Sequence, residues 1–186
     1  MFKHIILITL LLMPIVVWSA YKPVRVIAPQ WNGVSCITEQ ICIESPEKAK
    51  DAKALYDSAV GFVNEFVGEV KRNPRVTFCS SADCFGAFGF HTPAKAKTVG
   101  LSGIVVGPDG WKRHILRHEI IHHLQSEQLG IIRQCRSPPW FKEGMAYYLS
   151  EDTRSLKEPF KSYREKFGNW YRQVGKEQVW DAARKL

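Results

Sequence analysis

His118, Glu119 and His122 stand together in the stretch LRHEIIHHLQ, Leu116 to Gln125. In an α-helix, residues four apart share a face, so His118 and His122 can aim two imidazole nitrogens at one metal ion. Zinc–nitrogen bonds are about 2.0–2.1 Å long. Glu119 is turned by about 100° around the helix. It is poorly placed to ligate from there. It can reach a water in the metal's open position and take its proton. The neighbours Leu116, Ile120, Ile121 and Leu124 are uncharged. That suits a helix buried along its length, where stray charges would be costly.

A catalytic zinc needs a third protein ligand, and two histidines with a glutamate form one established set. The stretch PPWFKEGMAYYLS offers Glu143, with Gly144 beside it to let another element approach closely. The chain from His122 to Glu143 is long enough to finish one helix, turn back and begin an antiparallel one. Such a pair would bring Glu143 to the open side of the two histidines.

HEIIH followed by WFKEGMA resembles the gluzincin metallopeptidases. These are thermolysin-like and aminopeptidase-like enzymes whose third zinc ligand is a Glu on a downstream helix, often within W-x-x-E-G-x-A. The resemblance covers about residues 100–150. It implies a zincin-like fold, Zn2+ held by His118, His122 and Glu143, and Glu119 as the catalytic base. It also implies hydrolysis of a peptide or protein substrate. The chain is small for that family. The alternative that the same ligands allow is a non-catalytic, zinc-stabilised periplasmic binding or regulatory protein.

Other residues are candidates around this set. Tyr147 follows Glu143 by four, on the same helix face, where it could orient a ligating imidazole or donate to an oxyanion. Tyr163 and Tyr148 are alternative donors; for each tyrosine, core packing competes. His114 precedes His118 by four, but three histidines along one helix would span about 12 Å, too far for one ion. It is read as an orienting or cleft residue. His123 is expected to face away, and His91 lies in a Gly-rich loop that could line the cleft.

The elements that must position these residues follow from pattern. Ser45-Pro46-Glu47 starts a helix, with Ser at the cap and an acid against the positive end. Apolar residues from Ala52 to Val70 recur at three- and four-residue steps, predicting one long helix that ends at Asn73-Pro74. Arg75 to Cys79 and Gly103 to Gly107 read as strands. Residues between them read as loop with at most one helical turn. The catalytic helix spans about Trp111 to Gln128, capped by Asp109 or Gly110, with Gly130 past its end. Residues 131–139 read as loop, then a helix carries Glu143, and 155–186 is mostly helical. Residues 21–45 read as an extended entry segment. The fold class is α+β: a long helix and small sheet, then a helical half carrying the metal site. Ile104 to Val106 either pair with an extended substrate by strand addition or lie inside the sheet.

The whole chain has 186 residues, 45% hydrophobic and 12% aromatic, which indicates one globular domain and excludes a disordered chain. Residues 1–19 read as a cleaved export signal or a retained N-terminal anchor, with the catalytic domain at 20–186. The protein is therefore expected in the periplasm or secreted, and at a membrane only through that segment. Cys36 and Cys42, and Cys79 and Cys84, could close two short disulfide loops, although four cysteines allow three pairings. Their spacing is not the CxxC of a zinc knuckle, which is the competing reading. Cys135 is left over. The net charge of +8 is spread without a dense basic run, so nucleic acid is not an expected partner.

Overall fold

The computed structural model describes residues 22–186; the leader expected at 1–19 lies outside them. The entry segment contains α1 (Lys22–Ile27), β1 (Ser35–Cys36) and β2 (Ile41–Ile43). Extended structure is thus confined to its second half. The first part is helical because that buries Val26 completely against the sheet. Gly103 permits this approach: a Cβ there would lie 2.9 Å from the Val26 side chain and 2.7 Å from the Arg75 carbonyl.

A 3-10 turn at Pro46–Lys48 leads into α2 (Ala49–Phe66), which buries Ala52, Tyr56, Ala59 and Val63. Ser45 makes no capping hydrogen bond with its side chain. The helix is shorter than its apolar pattern. Val67 and Gly68 both donate to the Val63 carbonyl, and the Asn64 side chain accepts from the Val70 N–H at 2.8 Å. That side-chain bond offers the backbone an alternative to another helical turn. Val67 and Val70 remain buried all the same.

The chain then forms β3 (Val76–Phe78), α3 (Ala82–Ala87), β4 (Ala96–Val99) and β5 (Gly103–Val106). The five strands order as β1-β2-β3-β5-β4, with β2, β3 and β5 parallel and both edge strands antiparallel to their neighbours. The central strands are buried throughout. Their alternate residues serve two layers, as a sheet covered on both faces requires. Ile41, Ile43, Val76, Phe78, Ile104 and Val106 face the long helices, while Cys42 and Val105 face Val26, Phe85, Phe88 and Phe90. Ile104 to Val106 therefore lie inside the sheet, and β4 occupies the edge. Sequence pattern missed β4 because AKTV is short and sits among small and polar residues.

Across the first face lies α4 (Arg113–Leu129), packed on α2 and β4. Its cap is Lys112, not Asp109 or Gly110, because Pro108–Gly110 are taken up in a 3-10 turn. Gly130 terminates it with φ +77°. The expected loop at 131–139 instead holds a short helix, α5 (Ile131–Arg136). IIRQCR contains neither Gly nor Pro, so nothing local opposes helix. The chain closes with α6 (Pro139–Leu149), α7 (Phe160–Val174) and α8 (Val179–Ala183). Gly144 is the contact point of α6 and α7, since a Cβ there would meet the Tyr163 carbonyl at 2.3 Å. Phe141 and Phe167 are fully buried beside it. The described chain is a mixed α/β structure, and none of its helices is long and apolar enough to cross a membrane. Disulfides join Cys36 to Cys42 and Cys79 to Cys84.

Candidate metal centre

His118 and His122 project from one face of α4, and their Nε2 atoms lie 3.1 Å apart. Glu143, from α6, places Oε2 at 3.7 Å from each. A triangle with these edges encloses a point about 2.0 Å from every corner, which matches the zinc–imidazole and zinc–carboxylate bond lengths of about 2.0–2.2 Å. The donor set of two imidazoles and one carboxylate therefore fits a small divalent cation such as zinc. These three side chains form a group that could hold a metal ion.

The orientation of His122 is fixed from behind. Gln125 is fully buried, and its Nε2 donates to the Lys142 carbonyl at 3.0 Å. A carbonyl only accepts, so the amide oxygen must face His122, where it lies 2.9 Å from Nδ1. His122 Nδ1 then carries the proton, and in the neutral ring Nε2 presents a lone pair toward Glu143. Because Lys142 precedes Glu143, one amide ties both ligand-bearing helices together.

Burial, and then His122 beside it, lower the His118 pKa to about 3, so this ring is neutral at physiological pH. Burial alone would push the Glu143 carboxyl up. Proximity to His122 and His118, with Lys97 further out, outweighs it and brings the value down to about 2. Burial would also lower His122, but Glu143 and Gln125 hold it above the ordinary histidine value. A cation entering this group would displace the His122 proton, as metal ligation by imidazole requires.

Glu119 is buried and turned toward the edge strand. Thr98 Oγ1 lies 2.7 Å from its Oε2 and 2.8 Å from its backbone oxygen. The hydroxyl holds one carboxylate oxygen and leaves Oε1 without a protein partner among the described residues. Glu119, His118, His122 and Glu143 all line one cleft of about 670 Å³, which residues of β4 and α6 and Arg154 also line.

The remaining candidates separate. Tyr147 lines the cleft, with its ring edge-on to His118 at 4.5 Å between centroids. Burial, followed by the Glu143 charge, raises its pKa, so its phenol stays protonated and can donate. His91 also lines the cleft. His114 does not: its Nε2 is buried without a hydrogen bond, 4.0 Å from Asp152. Tyr163 packs on Phe160, and Tyr148 on Phe167 and Tyr171. His123 is buried on the far side, with Nε2 2.7 Å from the Arg72 carbonyl.

Sequence reasoning missed Thr98, Gln125 and Arg154. Gln125 could have been found as the residue three past His122, at helical contact spacing. Thr98 and Arg154 are brought in by tertiary structure and had no local signal. Comparison with protein-family models, curated proteins and solved structures finds no match to this chain.

Proposed function

We propose that this chain is an exported, zinc-dependent peptidase with a zincin-like arrangement of its catalytic helix and edge strand. The observation that carries the reading is the convergence of His118, His122 and Glu143 on one point, with the Glu119 carboxylate in the same cleft. A zinc ion held by those three residues would polarise a scissile carbonyl and lower the pKa of its water.

The protein's own groups do the rest. Glu119 Oε1 accepts the proton of the attacking water and delivers it to the departing amine. Thr98 keeps Oε2 occupied, so the carboxylate has one working oxygen in one orientation. Gln125 keeps His122 in the tautomer that offers Nε2. Tyr147 supplies a protonated phenol beside the ligands for the developing oxyanion. The two disulfides agree with an oxidising compartment.

The test is metal analysis of the purified chain together with Glu119→Gln. The expected result is one zinc per chain in both proteins, with peptide hydrolysis only in the parent. Protein that binds no divalent metal, or a Gln variant that hydrolyses as well as the parent, would overturn the reading.

A further inference from the structure

The cleft is also lined by cations that lie outside the candidate ligand group. Lys97 is exposed on β4, and Lys95 precedes that strand. Among the described residues neither makes an ion pair, yet both border the same cleft as the ligands. Arg154 borders it too. Its Nε and Nη2 are clamped by Asp152, at 2.8 Å to Oδ1 and 2.6 Å to Oδ2, and the Asp152 side chain is only 1% exposed. Nη1 has no hydrogen-bond partner among the described residues. A guanidinium fixed by a buried carboxylate, with one nitrogen spare, is a preorganised anion donor. Among the described residues, the only carboxylates lining the cleft are Glu119 and Glu143, both already engaged.

We infer that this cleft recognises carboxylates on its peptide ligand, with Arg154 as the fixed anchor and Lys95 and Lys97 as flanking contacts. The inference deepens the peptidase reading and rests on the same cleft. Lys95, Lys97 and Arg154 put three positive charges on the walls of the space where a chain must lie to reach Glu119. The carboxylates can come from acidic side chains or from the peptide's own end. A free edge at β4 would hold the backbone whatever the sequence. The cations add the selectivity, since a neutral or basic peptide leaves Arg154 Nη1 unpaired or repelled.

Binding can be measured without turnover, by fluorescence anisotropy on the full chain carrying Glu119→Gln with zinc added. The probes are blocked decapeptides of alternating Glu-Ala, Gln-Ala and Lys-Ala, and the Gln-Ala peptide with a free carboxyl end. The Glu-Ala peptide should bind at least about tenfold more tightly than blocked Gln-Ala, and the preference should shrink with salt. Lys95→Gln with Lys97→Gln should reduce it, and Arg154→Gln should remove most of it. If Arg154→Gln unfolds because Asp152 is stranded, the lysine pair still decides. Tighter binding only of the free-carboxyl peptide would make the chain end the carboxylate source. Equal affinity for Glu-Ala, blocked Gln-Ala and free-carboxyl Gln-Ala alike, or preference for Lys-Ala, would overturn the inference. Acidic preference in a parent that hydrolyses nothing would sink only the peptidase reading. Hydrolysis with no such preference would sink only this one.

Discussion

Gln125 and His122 are joined by one hydrogen bond, 2.9 Å from Oε1 to Nδ1, made by a fully buried amide whose other end holds the Lys142 carbonyl. The bond sets the ring's tautomer and also the spacing of the helices that bear His122 and Glu143. Gln125→Leu keeps the volume and removes both contacts. Zinc affinity should fall by about 10–100-fold, the range seen when such outer partners are lost. Competition with a chelator of known affinity measures it, and an unchanged affinity would show that packing alone orients His122.

Thr98 holds Glu119 as Gln125 holds His122. Its hydroxyl is the polar partner of Glu119 Oε2, and Val is nearly isosteric with Thr. Thr98→Val should leave zinc content unchanged and lower kcat by about tenfold or more, because a mis-set base loses its proton-transfer geometry. It should also cost about 1–3 kcal/mol of stability for the stranded buried oxygen. Full turnover in a zinc-loaded variant would show that Glu119 is held by other means.

Gly144 couples the site to the last helices. A methyl group there would meet the Tyr163 carbonyl at 2.3 Å and Phe167 Cβ at 2.8 Å, both on α7. Backbone cannot swing aside as a side chain can, so α6 would have to shift, taking Glu143 with it. Gly144→Ala should cost about 1–3 kcal/mol by overpacking and weaken zinc binding as well. Urea titration with and without zinc reads both effects; a variant as stable as the parent would show that the α6–α7 contact has slack.

The candidate ligand group was legible in sequence because it obeys local rules: i, i+4 spacing in HEIIH, and a Glu beside a Gly on a following helix. The strand at 103–107 was legible for its unbroken apolar run. β4 was not, although it lines the cleft and its Thr98 holds Glu119, because four residues of mixed polarity carry no period. Helix α2 was read too long, since Val67 and Val70 obey helical spacing and are buried even though the backbone has turned at Gly68. Asp152 and Arg154 lie two apart in a segment with no pattern, and only the packing of α6 against α7 makes one buried and the other a cleft residue.

Asp152 also predicts acid behaviour. Burial would push its carboxyl up, but the hydrogen bonds and charge of Arg154 outweigh that and hold it below its ordinary 3.8. Glu44 is likewise held below 4.5: burial opposes this, and hydrogen bonds from Ser81 and Ser80 override it. The unfolded chain therefore takes up these protons first as pH falls. The stability contributed is full above the ordinary values and is lost as pH drops below about 4.5 and then 3.8. Urea midpoints should decline through that range. Asp152→Asn should be less stable near neutrality, with a shallower decline below about pH 4. A parallel decline in both proteins would remove Asp152 from the acid transition.

The cysteines give the most direct check on compartment and fold together. Of five cysteines, four are paired and Cys135 is free and exposed at the cleft. One disulfide clips β1 to β2, and the other ties the end of β3 to α3. Protein denatured without reductant should therefore show one thiol per chain, and with reductant all five. Each short loop restricts the unfolded chain by about 2 kcal/mol in the loop-entropy account, so reduction should lower the urea midpoint. Zinc bound through His118, His122 and Glu143 should survive that reduction, since no cysteine belongs to the group. Five thiols before reduction would overturn the pairing, and zinc lost in step with the disulfides would show that the metal site depends on the disulfide-held fold.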